Sequence, residues 1–320
     1  MKVLRLVSYT IGLCAAVAAC AGCSSAGPPS LAAFGSAKVS RVDHRRPWMA
    51  PDAKKKDLLY ISDEGGDVYV FSYPSGKLEG TLTGFAEPQG ECVDAKGDVW
   101  ITLFSSQEIV EYAHGGTSSV GTLSDPGYLL EGCAIDPTTG NLAAANFAGE
   151  SSNSGGVSIY ADAQGTPTTY TDPGLYLVFS LGYDNKGNLF MDGETKTGGS
   201  FAFAELPKGG STFTNITLNQ TIKTPGTVQW DGKYITVGDA TGGVTYQLNV
   251  SGSSATVAGS TTLTDSDGVF QSFIDHKKII GPNVYSANAM FWSYPGGGSP
   301  RKTLTGFTDP FGAVVSKGKK

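Results

Sequence analysis

One phrase recurs along this chain at a near-constant interval, and that interval leaves few folds open. It is an apolar strand, a turn centred on aspartate and usually carrying glycine, then a second apolar strand: GECVDAKGDVWIT, GCAIDPTTGNLAAAN, LGYDNKGNLFMD, TVQWDGKYITVGD and SFIDHKKIIGPN. The central residues Asp94, Asp136, Asp184, Asp231 and Asp275 are 42, 48, 47 and 44 positions apart. Aspartate ahead of glycine is hairpin chemistry, because its side chain bonds the turn's own amides and glycine accepts the positive φ that follows. Between these inner hairpins lie six outer ones, from GDVYVFSYP to AMFWSYPGGG. A period of about 40–50 residues with about four short strands per unit is the signature of a β-propeller.

The two chain ends say how the ring closes. The stretch Phe71–Gly90 (FSYPSGKLEGTLTGFAEPQG) is nearly repeated at Phe291–Gly312 (FWSYPGGGSPRKTLTGFTDPFG). These are the outer halves of the first and last units. The first unit enters at DLLYISD without an innermost strand, and the C-terminal FGAVVS, with Ser316 in the sixth aspartate slot, supplies it. The fold class expected is therefore all-β: a six-bladed β-propeller of four-stranded blades over 57–320, closed by the C-terminal strand joining the first blade. Closure of this kind hides sheet edges that would otherwise pair with other chains.

The 44 glycines fit short strands and tight turns. Charged residues are 16% of the chain and the net charge is −6. A nucleic-acid binder carries a basic footprint, so nucleic acid is not an expected partner.

Residues 1–19 read as a lipoprotein signal peptide, with Lys2 and Arg5 ahead of an apolar run and VAAC at its end. That ending makes Cys20 the lipidation residue and the lipid bilayer a partner; CAGC offers Cys23 as the other position. Residues 20–56 read as a lipid-anchored flexible tether, rich first in Ser, Ala and Gly and then in Arg45, Arg46, Lys54, Lys55 and Lys56. Such a basic run is a solvated linker or a headgroup contact, and Trp48 and Met49 would pin its end to the body. The localisation expected is the bacterial cell envelope, and the outer membrane if the cell has one. Cys92 and Cys133 sit one place apart in the repeat register, so their side chains point to opposite faces of their strands. Two separate buried thiols are expected from that, without a disulfide.

At PQGECVDAKGDVWIT the chain resembles the six-bladed NHL-repeat and gluconolactonase-like (senescence marker-type) propellers. The resemblance covers about 260 residues as a pattern. It implies a central channel where the lactonase-type members hold a divalent cation such as calcium, on side chains just before each inner-strand glycine. Here those slots read Gln89, Glu131, Phe179 with Ser180, Pro225, Phe270 with Gln271, and Phe311. Gln89, Glu131, Ser180 and Gln271 are the channel-lining candidates. Calcium takes six or more oxygen ligands with several carboxylates, and one carboxylate beside three phenylalanines is poor equipment for that. Glu131 and Asp63 are the metal candidates if a cation binds at all; no cofactor is the expectation. Streptogramin lyase-like members lean on a channel histidine, whereas His44, His114 and His276 fall on no channel slot.

A second column, at the ends of the second strands, holds Asp63, Asn146, Asp192, Asp239 and Asn283. It reads either as a polar rim for a sugar or a cation, or as loop caps bonding backbone amides. The sequence thus points to an envelope-anchored lipoprotein, monomeric, acting as a non-catalytic binding or scaffold propeller for a protein, glycan or small ligand. A metal-assisted hydrolase or lactonase using Glu131 is the alternative, with streptogramin lyase-like activity behind it.

Overall fold

The computed structural model describes residues 37–38, 46–150, 154–196 and 199–318. Residues 1–19, Cys20, Cys23 and His44 lie outside the described residues. Six antiparallel sheets are present, each with four core strands. The innermost strands are, for blades 1 to 6, Pro310–Ser316, Pro88–Val93, Tyr128–Ile135, Leu177–Tyr183, Pro225–Trp230 and Phe273–Asp275. The expected closure is present: Pro310–Ser316 pairs antiparallel with Leu58–Asp63, with Ala313 opposite Ile61 and Ser316 opposite Leu58.

Three blades carry a short fifth strand at the rim. Trp48–Met49 pairs antiparallel with Leu78–Thr83 of blade 1. Ala37–Lys38 pairs parallel with Lys302–Thr305 of blade 6, and Thr217–Leu218 pairs parallel with Ser254–Thr262 of blade 5. The basic stretch before the first blade is likewise laid on the body, with Lys56 paired to Asp52 and Glu79 at 2.9 Å each. The two repeated outer phrases adopt the same turn, with cis Tyr73–Pro74 and cis Tyr294–Pro295.

Alternation along each strand sends apolar side chains to both faces of a blade, because both faces meet neighbours. The seam between blades 6 and 1 holds Leu59, Ile61, Phe71, Ile280, Phe291 and Leu304; the next holds Tyr60, Val68, Val99, Ile101 and Val314. The turn aspartates do what the sequence implies: Asp94, Asp136, Asp184 and Asp231 each accept the amide two positions on at 2.8 Å.

One expectation is overturned. Cys92 and Cys133 form a disulfide, with Cα atoms 5.6 Å apart. The premise that they point to opposite faces was sound, but in a propeller opposite faces of successive blades are the surfaces that meet. Cys92 points forward from blade 2 and Cys133 backward from blade 3, into one seam with Trp100, Leu130 and Tyr160. The inner strands are held close there because Gly90 and Gly132 lack Cβ atoms. A Cβ on Gly90 would lie 2.2 Å from the Glu131 carbonyl oxygen.

Candidate functional site

Five of the six inner strands carry the same irregularity. In blade 2, Pro88 opposes Leu103 and Glu91 opposes Ile101, so one extra residue is inserted on the inner strand. The same shift falls between Leu130 and Cys133, Val178 and Leu181, Pro225 and Val228, and Pro310 and Ala313. Such a bulge pushes residues out of the ladder. Here it turns one residue per blade toward the channel mouth and leaves amides that need acceptors.

The second strands supply those acceptors. Ser62 Oγ accepts from Gly312 N at 2.8 Å and donates to the Gln89 carbonyl of the next blade. Thr102 Oγ1 accepts from Gly90 N at 2.8 Å and donates to the Glu131 carbonyl at 2.5 Å. In blade 4 the same position is Asp192, which accepts from Ser180 N and, in blade 5, Gly226 N, at 3.0 Å each. These clamps tie each bulge to the following blade.

This accounting decides the predicted residues. Asp192 belongs to the clamp column, one place before the rim column. Asp63, 2% exposed, accepts from Gly65 N, Thr308 N and Asp309 N at 3.1, 2.7 and 3.2 Å. Asp239 accepts from Lys223 N, Thr224 N and Gly242 N. Asn283 accepts from Asp267 N at 2.8 Å, and Asn146 donates to Ser158 Oγ at 2.9 Å. All five are buried. Four of the five are loop and bulge caps whose oxygens serve backbone amides, which argues against a ligand site there, while Asn146 keeps its Oδ1 buried without a partner. Ser180 Oγ accepts from Val228 N at 3.0 Å. Gln271 pairs with the backbone of Glu91 through both ends of its amide, at 2.9 and 3.2 Å. Both are therefore staples between inner strands, one register place away from Gln89 and Glu131.

Gln89 and Glu131 differ. Glu131 is 5% exposed, and its side chain makes no hydrogen bond or ion pair among the described residues. Burial pushes its carboxyl well up, with Asp192, Glu64 and Glu194 adding to the effect. Gln89, 8% exposed, donates from Nε2 to Glu64 Oε1 at 2.8 Å, while its Oε1 is buried without a partner. Burial, then Asp309, pushes Glu64 up to about 7.

Around these acids stand aromatic rings. Phe104 and Phe147 lie 5.8 Å apart, and Phe147 meets Phe179 edge-on at 5.1 Å. On the other side Phe311 stacks on Phe270 at 5.6 Å, and Phe270 meets Tyr285 edge-on at 6.2 Å. The bulge slots of blades 1 to 5 thus read Phe311, Gln89, Glu131, Phe179 and Gly226, and Phe270 stands just ahead of the inner strand of blade 6. Two polar residues sit side by side between phenylalanines. Sequence reading found the slot phenylalanines but missed Phe104, Phe147 and Glu64. Each directly follows the capping column's position in its blade (Glu64 after Asp63, Phe104 after Leu103, Phe147 after Asn146), so that column was the signal available.

Below this mouth the channel narrows at the glycines. A Cβ on Gly312 would meet the Gln89 carbonyl at 2.3 Å and Gln271 Oε1 at 2.4 Å. Beyond the narrowing, toward the aspartate turns, a cavity of about 260 Å³ is lined by Cys133, Leu181, Val228, Trp230, Phe273 and Glu91. Glu91 is 3% exposed, both its carboxyl oxygens lack partners, and burial pushes it well up.

The metal candidates do not assemble. Asp63 is committed to backbone amides, and Glu131 belongs to no group of three ligand side chains within ion-holding reach among the described residues. The group that does is Asp94, Asp98 and Glu111, on the outside between blades 2 and 3, with ligand atoms within 4.8 Å of one another. Asp94 and Asp98 already accept backbone amides there. His114 bonds Ser316 Oγ and the Lys56 carbonyl, and His276 is an exposed turn residue beside Asp275. Neither reaches the channel.

No family model and no curated protein sequence matches the chain. Solved structures do. A chain of a nidogen/laminin complex overlays with a TM-score of 0.68 at 13% identity, covering 82% of this chain and 100% of that one. A protein of unknown function from Bacteroides caccae overlays at 0.61 and 13% identity, covering 82% and 99%. A functionally unknown protein from Desulfotomaculum acetoxidans overlays at 0.57 and 12%, covering 82% and 100%. At such identities the likeness is one of fold, and a propeller fold hosts many unrelated functions.

Proposed function

We propose that the chain is an exported, lipid-anchored binding propeller, held to the envelope through acylated Cys20, whose working surface is the aromatic and acidic mouth at the bulge end of the channel. One observation carries this reading. Around that mouth the capping aspartates are consumed by backbone amides, whereas Gln89 keeps a buried Oε1 without a partner and the side chain of Glu131, a residue only 5% exposed, bonds nothing among the described residues. Natural proteins pair nearly all buried polar groups, so unpaired acceptors between aromatic walls mark a place kept for something else. Rigid blades present such a mouth at little ordering cost. The Cys92–Cys133 disulfide supports export, since disulfides persist in oxidising compartments.

The test has two arms. Expressed in a bacterium, the full chain partitions into detergent and takes up labelled fatty acid, and Cys20→Ser abolishes both. Envelope extract passed over the immobilised propeller yields a ligand that Phe179→Ala and Phe270→Ala fail to retain. Label retained in Cys20→Ser, or capture indifferent to those phenylalanines, contradicts the reading.

A further inference from the structure

The mouth's chemistry is one-sided. Its unmet groups are oxygens: the buried Gln89 Oε1 and the unpartnered carboxyl of Glu131, with Glu64, which accepts from Gln89 Nε2, beside them. No lysine or arginine among the described residues pairs with Glu64, Glu131 or Glu194. The titratable groups that face Glu64 are Asp309, Glu87 and Asp63; those that face Glu131 are Asp192, Glu64 and Glu194. Every one is an acid. A bare metal ion is not what this arrangement fits, because the carboxylates do not converge within ion-holding distance. A larger cation is, one that brings several N–H donors and an apolar body to lie against phenylalanine faces. Ammonium groups are attracted to aromatic faces, and charge-assisted N–H bonds to carboxylates are the strong ones.

We infer that the bulge-end mouth is a receptor for a small organic cation with a primary ammonium head, held by Glu131, Gln89 Oε1 and Glu64 between Phe179, Phe270 and Phe311. The inference rests on the binding reading above and gives it a ligand class. The ammonium N–H groups satisfy the three acceptors, and the alkyl body lies against the phenylalanine rings. Occupancy favours the charged form of Glu64, so binding releases a proton wherever that carboxyl is still protonated and tightens as pH rises through about 7. An alkylammonium stays charged there, its own pKa being about 10 like that of lysine.

The experiment is an NMR titration of the full propeller with n-butylammonium, up to about 10 mM, following the Gln89 side-chain amide. Matched titrations use n-butanol and butyltrimethylammonium. The expected result is saturable movement of the Gln89 signal by the primary ammonium, with n-butanol at least about tenfold weaker. The quaternary ion, lacking N–H donors, is weaker too. Glu131→Gln and Glu64→Gln each weaken binding about tenfold, whereas Glu91→Gln, below the glycine narrowing, leaves it unchanged. The inference is overturned if no cation binds, if n-butanol or the quaternary ion binds as well as the primary ammonium, or if Glu91→Gln abolishes binding that Glu131→Gln preserves. Any of these leaves the anchored-receptor reading standing on its lipidation and capture tests.

Discussion

Two circles of buried polar side chains surround the same channel mouth, and they differ in what they bond. The capping circle at the second-strand ends, with Asp63 and Asp239, and the clamp Asp192 one place before it are engaged with backbone amides of loops and bulges. The circle in the bulge slots, with Gln89 and Glu131, has acceptors that the fold does not engage. Burial alone does not separate them. Partner accounting does: a carboxylate that satisfies amides holds the fold, and one that satisfies nothing costs stability until a ligand arrives.

The contrast is broken most severely by letting the blades part. The Cys92–Cys133 bridge spans 41 positions and joins the two blades that bear Gln89 and Glu131. By loop-closure entropy its removal costs about 4 kcal/mol. Cys92→Ala with Cys133→Ala is expected to lower the urea midpoint accordingly and to weaken binding at the mouth. Next is the clamp circle. Asp192→Ala strips the acceptor from Ser180 N and Gly226 N, two buried amides, and is expected to cost about 3 kcal/mol in equilibrium denaturation. Asp192→Asn, which keeps one acceptor, recovers part of that.

A smaller effect comes from titration. Glu64 rises from 4.5 to about 7 in the folded state, chiefly through burial. Between those values the folded chain holds a proton that the unfolded chain has released. Stability therefore falls as pH climbs from about 4.5 to 7 and levels off above. Glu64→Gln is expected to remove about 2 kcal/mol of that fall, a figure reduced for partial solvent screening. Thermal melts of both proteins at pH 4.5, 6 and 7.5 measure it.

How much of this could be read from sequence follows from which physics repeats. The aspartate turns repeat because every blade needs the same hairpin, and so blade number, strand count and closure by Phe311–Ser316 were legible. The disulfide was not, because the register argument stayed within one blade while Cys92 and Cys133 meet across two. Ser180 and Gln271 were placed with Gln89 and Glu131, but the bulge shifts them by one residue into the stapling column. Asp192 entered the wrong circle for the same reason. The mouth was half-visible: Glu131 and the slot phenylalanines stood out, while Glu64, Phe104 and Phe147 sit one place after the capping column, where only packing reveals their neighbours.

The most direct test is the stability of Glu131→Gln, set against the parent near neutral pH by urea denaturation. If Glu131 supports no part of the fold, replacing its buried, unpartnered carboxyl with an amide leaves the unfolding free energy within about 0.5 kcal/mol of the parent or raises it. A loss of about 2 kcal/mol or more, of the size expected for Asp192→Ala, would place Glu131 among the structural acids and contradict the account.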